Sequence, residues 1–191
     1  SRGLGDVYKR QTLEALSRLH HPELGWIAPD VFIQIAEKNH MIEQITDLQF
    51  KRVCMFINEH RDLMKKLFNI KVNLSSLDLM RSDCSSHFIR MMDDMDIHHD
   101  WIQFEITETV ATEYNAGLGM VIDGFMAAGV RLCLDDFGSG YANLNTVMRL
   151  PFSAIKIDRT LLFDICNDKK RAMFYPVSYT HLRAHETLRH L

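Results

Sequence analysis

The chain predicts an α/β fold, a TIM-like (β/α)8 barrel that is incomplete because its C-terminal strands are missing. Three observations predict it. Short apolar runs rich in Ile, Val and Leu alternate with helical patterns without an intervening linker, which argues for a parallel sheet covered by helices. Asn73, Glu105, Asp135, Asp136 and Lys156 stand at or near the ends of successive strand-like runs, and in a closed barrel such ends converge on one mouth. No GxGxxG or GxxxxGK(S/T) phosphate loop is present, which disfavours the nucleotide-binding open sheets.

Thr12 to Leu16 reads as the remnant of an early strand, and Ile70 to Leu74, Trp101 to Ile106, Val130 to Leu134 and Ala154 to Asp158 as four more. Pro29-Asp30 opens a helix running to about Asn39, and Leu48, Val53, Phe56 and Ile57 mark another. Leu118, Val121, Ile122, Phe125 and Met126 recur at i, i+3, i+4, i+7 and i+8, and Gly129 follows as a stop. Met91, Met92, Met95, Met120 and Met126 fall in helical stretches, where packing is their expected role. Lys156 alternates with Ile155 and Ile157, which turns it toward the barrel interior while they pack against helices.

Of the 191 residues 47% are hydrophobic and 25% charged, the composition of one soluble globular domain. A net charge of −3 leaves no footprint for a DNA or RNA polymer or for an anionic membrane. Cys54, Cys84, Cys133 and Cys166 form no CxxC pair, which suits buried thiols in a reducing compartment. No apolar stretch is long enough to span a bilayer and no secretory signal opens the chain, so a cytoplasmic location is expected, with any inner-membrane anchor lying in a neighbouring segment of the parent protein. Residues 1–11 and 176–191 resemble translated sequencing-library adapter, leaving 12–175 as the domain. His181 and His185 have the i, i+4 spacing of metal ligands on a helix, but are set aside with that tail.

Asp135-Asp136 closes the apolar run Val130-Arg131-Leu132-Cys133-Leu134, and Phe137-Gly138-Ser139-Gly140 follows as a turn. Two acids at the end of a buried strand, with no basic neighbour in sequence, are costly unless a cation compensates them. Each polar residue also has a plainer reading. Asn73 would cap a turn, Glu105 and Glu108 would form a solvated pair, Arg18 would bridge Glu14, and Asp158-Arg159 would be an ordinary ion pair. His20-His21 and His98-His99 sit in turn-like contexts that suit surface or supporting roles.

Five segments then fall in order: Glu14-Ala15-Leu16-Ser17-Arg18-Leu19, with His21-Pro22-Glu23-Leu24-Gly25 after it; Val72-Asn73-Leu74-Ser75; Phe104-Glu105-Ile106-Thr107-Glu108-Thr109; Asp135-Asp136-Phe137-Gly138-Ser139-Gly140-Tyr141; and Leu150-Pro151-Phe152-Ser153-Ala154-Ile155-Lys156-Ile157-Asp158-Arg159. This set resembles the EAL family of bacterial cyclic di-GMP phosphodiesterases over nearly all of Thr12 to Tyr175. The resemblance implies a TIM-like barrel that uses two divalent cations, Mg²⁺ or Mn²⁺, to hydrolyse cyclic di-GMP to linear pGpG in bacterial signalling. It implies Glu14, Asn73, Glu105 and Asp135 as metal ligands and Asp136 as an acid that contacts a metal and the attacking water. It implies Glu108 as the support of the loop after the acid pair, Arg18 as a phosphate contact, and Lys156 as a group that orients or activates water. It also implies a homodimer of the parent through the loop after Asp136.

Elementary chemistry fits these roles. Carboxylate and amide oxygens suit hard cations, two ions ~3.5–4 Å apart can promote in-line displacement at phosphorus, and the arginine fork matches phosphate oxygens. The alternative is a non-catalytic EAL module that acts as a cyclic di-GMP receptor or protein-interaction domain. Retention of Glu14, Asn73, Glu105, Asp135, Asp136 and Lys156 favours the enzyme. A barrel acting on a small carbonyl substrate would need a Schiff-base lysine or an enolate site, and Lys156 alone does not make one.

Two departures bear on activity. Leu19 stands where the family commonly has Trp. A TIM barrel typically needs ~250 residues, and the family's later glutamate ligand and glutamine have no counterpart after Tyr175. The fragment is therefore expected to be weakly active or inactive, exposing a sheet edge and an apolar interior face.

Overall fold

A computed structural model describes residues 11–112, 115–139 and 150–161. Cys166, His181, His185 and most of the loop after Asp136 lie outside the described residues, as do residues 1–10 and 162–191, which hold nearly all of the two segments expected to be foreign. The elements run β1 (Gln11–Ala15), β2 (Leu19–His21), β3 (Gly25–Ile27), α1 (Pro29–Lys38), α2 (Ile42–Glu59), α3 (Arg61–Met64), β4 (Leu67–Asn73), α4 (Ser76–Met80) and α5 (Cys84–Asp94). A short 3₁₀ turn, His99–Trp101, leads into β5 (Ile102–Thr107), α6 (Glu108–Thr112), α7 (Ala116–Ala127), β6 (Arg131–Phe137) and β7 (Ala154–Ile157).

Strands β1, β4, β5, β6 and β7 lie side by side in that order, every pair parallel. The sheet curls. Laid flat, four strand spacings would separate β1 from β7 by roughly 19 Å, yet Lys156 on β7 reaches Glu14 on β1 at 3.6 Å. This is part of a TIM-like barrel with helices outside, as the strand-helix alternation predicts. The β2–β3 hairpin, which the hydrophobic pattern did not reveal, pairs Leu19 with Ile27 across a turn at Gly25, where φ is +71°.

The two faces of the sheet differ sharply. Outward, Ile70, Val72, Ile102, Phe104, Ile106 and Leu132 are buried in one core with Phe50, Phe88 and Phe125 from the helices. Phe104 stands at its centre, with ring centroids 5.5, 5.2 and 4.8 Å from Phe50, Phe88 and Phe125. Inward, the alternate positions are Asn69, Lys71 and Asn73 on β4, Gln103 and Glu105 on β5, and Cys133 and Asp135 on β6, paired across the strands. Asn69 donates to Gln103 at 3.3 Å, Gln103 to the Ser153 hydroxyl at 2.9 Å, and that hydroxyl to the Leu132 carbonyl at 2.8 Å. The expected apolar interior face is thus corrected: it is a polar ladder, because Asn69, Lys71 and Asn73 of β4 and Gln103 and Glu105 of β5 alternate with the core residues and the strand pleat sends them inward.

Local polar contacts fix the segments that carry the strand ends. Ser75 and Asp78 form a reciprocal cap at the start of α4, and Thr46 of α2 donates to the same Asp78 carboxylate at 2.9 Å. Gln49 of α2 donates to the Ala15 carbonyl of β1 at 2.8 Å. Asn115 caps α7 by accepting from the Leu118 N–H at 3.0 Å. Cys54, Cys84 and Cys133 are buried, and burial pushes each thiol up to about 12. Methionine packing holds for Met92, and Met91 and Met95 border the core, but Met120 is 66% exposed and Met126 is 41% exposed.

Because Phe104 joins three aromatic rings and is fully buried, Phe104→Ala is expected to cost about 3–5 kcal/mol of folding stability. Urea unfolding followed by circular dichroism measures this.

Candidate active site

The pleat that sends Phe104 into the core turns Glu105 into the barrel, where its side chain has 0% exposure. The solvated pairing of Glu105 with Glu108 is therefore corrected: both are buried. Two lysines reach Glu105. Lys156 Nζ donates to Oε2 at 2.6 Å, while Lys71 Nζ lies 2.9 Å from Oε1, outside hydrogen-bonding alignment, so Oε1 is buried without a hydrogen bond. Lys156 Nζ also donates to Asp135 Oδ2 at 3.1 Å and approaches Glu14 Oε2 at 3.6 Å. Burial alone would depress the Lys156 ammonium, but the hydrogen bonds and charges of Glu105 and Asp135 outweigh it and hold that group above the ordinary lysine range.

Asn73 completes the near rim, its amide a long 3.4 Å from Glu14 Oε1. Asp135 is partly buried and accepts the N–H of Asp136 at 2.9 Å. Asp136 is exposed and adopts φ +54°, a left-handed conformation that carries strain in a non-glycine residue. Partial desolvation of the carboxyl by its neighbours, then the charges of Asp135 and Asp158, push it above the usual range. Past it, the buried Glu108 carboxylate accepts the N–H of Gly138, itself at φ +95°. A side chain at Gly138 would collide with Leu161, only 2.8 Å from the Cβ position to Leu161 Cβ.

Glu14, Asn73, Glu105, Asp135 and Lys156 are thus brought together. Asp136 borders them, and Glu108 acts on the backbone beneath. Arg18 is not part of the cluster. It is exposed just beyond β1, donating to the Ser17 carbonyl at 2.9 Å, and among the described residues it pairs with no carboxylate. With Glu14 it lines a separate groove of about 570 Å³ between β1 and α2, walled by apolar residues such as Leu13, Leu48 and Phe56 and by the polar Ser17, Gln49 and Arg52. Asp158 accepts from the Thr160 N–H at 2.7 Å and from its hydroxyl, which holds the Asp158 carboxyl below its ordinary value. The histidines serve structure: His20 packs on Trp26, His98 on Trp101, and His99 bridges Asp93 and the Ala128 carbonyl at 2.8 Å each.

Among the described residues no three His, Cys, Asp or Glu side chains converge closely enough to enclose an ion as they stand. The reason is visible in the cluster: the Lys156 ammonium stands between Glu14, Glu105 and Asp135. The donor chemistry nonetheless suits a hard divalent cation, since it is carboxylate and amide oxygen throughout, and Glu105 Oε1 keeps a lone pair free of any hydrogen bond. Lys71 was missed in sequence. Its signal was the Asn69-Lys71-Asn73 alternation, which predicts an inward lysine, paired with Gln103 and diagonal to Glu105.

Residues 8–178 match the EAL domain family. The chain belongs to the EAL domain family. Over 162 residues it is 32% identical to the cyclic di-GMP phosphodiesterase NbdA of Pseudomonas aeruginosa, covering 84% of this chain and 20% of that protein. It is 31% identical to the oxygen sensor protein DosP of Escherichia coli, covering 88% of this chain and 21% of that protein. The chain therefore spans about a fifth of these relatives' length. The solved PaMucR phosphodiesterase in complex with c-di-GMP superposes with a TM-score of 0.72 at 29% identity, over 84% of this chain and 65% of that one. The Pseudomonas aeruginosa FimX EAL domain bound to c-di-GMP gives 0.76 at 19% identity, covering 92% and 69%, which supports the fold. No helix among the described residues is long and apolar enough to cross a membrane.

An acid held neutral more readily when folded costs stability while it is ionised. Asp136→Asn is therefore expected to raise the melting temperature at neutral pH, and the gain should shrink as pH falls through the carboxylate range and wild-type Asp136 takes up its proton. Thermal melts across a pH series read this out.

Proposed function

We propose that this EAL domain belongs to a cytoplasmic phosphodiesterase that hydrolyses cyclic di-GMP to linear pGpG with Mg²⁺ or Mn²⁺. The observation carrying the reading is the convergence of Glu14, Asn73, Glu105, Asp135 and Lys156 from five neighbouring strands into one contacting cluster. Glu14, Asn73, Glu105, Asp135 and Asp136 would hold the cations. Bound there, the cations would supply an activated water and would neutralise charge developing on the phosphate. Lys156, kept protonated by Glu105 and Asp135, orients those acids and would help orient or activate the attacking water. Asp136 would contact a metal and the attacking water and take its proton, a role its raised carboxyl supports. Glu108 holds the Gly138 backbone, and with it the position of Asp136. Arg18 contacts a substrate phosphate from the rim. The parent dimerises through the loop after Asp136, and the domain occupies 12–175, with 1–11 and 176–191 foreign to it.

The test compares the 191-residue chain and the intact gene product with cyclic di-GMP in Mg²⁺ or Mn²⁺, scoring pGpG by chromatography. The intact protein should turn over and this chain should be much slower. Asp135→Asn in the intact protein should lower turnover by at least about 100-fold. Equal turnover by that variant sinks the mechanism, and tight binding without any turnover makes the parent a receptor.

Glu108→Gln offers a separate check on the loop. It should lower kcat by about 10-fold or more while leaving cyclic di-GMP affinity nearly unchanged, measured by steady-state kinetics and calorimetry on the intact protein.

A further inference from the structure

Lys71 has no place in the reading above, yet it is the second cation on the most deeply buried acid of the cleft. It comes from the centre of β4, paired in register with Gln103 on one side and Glu14 on the other. Its side chain is only 13% exposed, so the ammonium has little water to retreat into. It stands 2.9 Å from Glu105 Oε1, the carboxylate oxygen that has no hydrogen bond. Lys156 already neutralises the other oxygen of that carboxylate at 2.6 Å.

We propose that Lys71 is an internal competitor of the divalent cation at Glu105, a residue that sets how tightly this cleft binds metal. The claim rests on the metal-dependent reading of the site. Among the described residues, the charged groups of this cluster are the acids Glu14, Glu105, Asp135 and Asp136 and the lysines Lys71 and Lys156, which leaves the acids in excess there. Each fixed ammonium lowers the negative potential that draws a divalent ion in, and in a part-buried cleft that effect is screened far less than at the surface. An ion on Glu105 Oε1 must share that oxygen with the Lys71 charge or displace it along the strand, where burial limits its escape. Lys156 differs because it also ties Glu105 to Asp135 and Glu14 and so shapes the cleft. Lys71 touches the same acid at an angle that forms no hydrogen bond, so charge is its main contribution.

The experiment is a Mn²⁺ titration of the 191-residue chain, free ion being followed by electron paramagnetic resonance, with far-UV circular dichroism confirming the fold of each variant. Lys71→Met should bind Mn²⁺ at least about 10-fold more tightly than wild type. Lys71→Arg, which restores the charge, should return to wild-type affinity, a recovery that a purely structural role would not tie to charge. Lys71→Gln replaces Met if the apolar side chain disturbs the strand. Glu105→Gln should lose the tight binding. Unchanged or weaker binding by the neutral variants overturns the role of Lys71, while wild-type binding that still depends on Glu105 leaves the metal site standing. Silence of every variant removes the metal site and the Lys71 proposal together.

Discussion

The Glu105 carboxylate is the constraint on which the cleft is built. Taking a charged group fully out of water costs several kcal/mol even after relaxation, and its side chain has no exposure. Two ammonium groups answer it, one from each side, and each must be held by its own strand. Lys156 comes from β7 and Lys71 from β4, so the acid on β5 is satisfied only when the sheet curls enough to bring them in. The same lysine on β7 reaches Glu14 on β1. Curvature and charge compensation are therefore one structural fact seen from two directions.

That fact also explains why β5 can carry a buried acid at all. Parallel strands in α/β folds are covered on both faces, and five of the six residues of β5 are buried. The cost on the inner face is offset on the outer one, where Ile102, Phe104 and Ile106 are locked into the main core. Phe104 and Glu105 are neighbours in sequence with opposite duties. A one-residue slip of register would place the acid among the aromatic rings and the ring among lysines, so the hydrophobic pattern enforces the geometry of the polar cleft.

Much of this was legible in the sequence. Alternation of apolar runs and amphipathic helices is a signal carried by the backbone period itself, so β4, β5, β6 and β7 fell where the pattern placed them, within a few residues. The observed β6 extends past Leu134 through the acid pair, because Thr107 still pairs with Asp135 and Phe137 with Ile157. The inward direction of Lys156 followed from the same period. What escaped was set by contacts between distant segments. The hairpin at Leu19–Ile27 has no strong alternation to announce it, and Lys71 looks like any solvated lysine until β5 is laid beside β4. The polar interior was readable from the Asn69-Lys71-Asn73 and Gln103-Glu105 spacing, but an expectation of apolar barrel cores concealed it. Arg18 shows the opposite limit, since motif position names a residue without fixing where its side chain goes.

The turn after β6 shows how stability and chemistry are traded in one short segment. Asp136 holds a left-handed backbone and a carboxyl crowded by Asp135 and Asp158, two costs that a neutral, extended residue would avoid. Such costs persist only where the surroundings over-determine the conformation. Here the restraints are identifiable: the Asp136 N–H is held by Asp135, the Gly138 N–H by buried Glu108, and the Phe137 carbonyl by the Asp158 N–H at 2.9 Å. Gly138 is compelled by Leu161 as well as by its positive φ. The ends of β6 and β7 and helix α6 thus converge to hold one exposed carboxyl in an unfavourable state beside the buried acid and its lysines. Folding alone gains nothing from that arrangement, whereas the proton-accepting role proposed for Asp136 would use it.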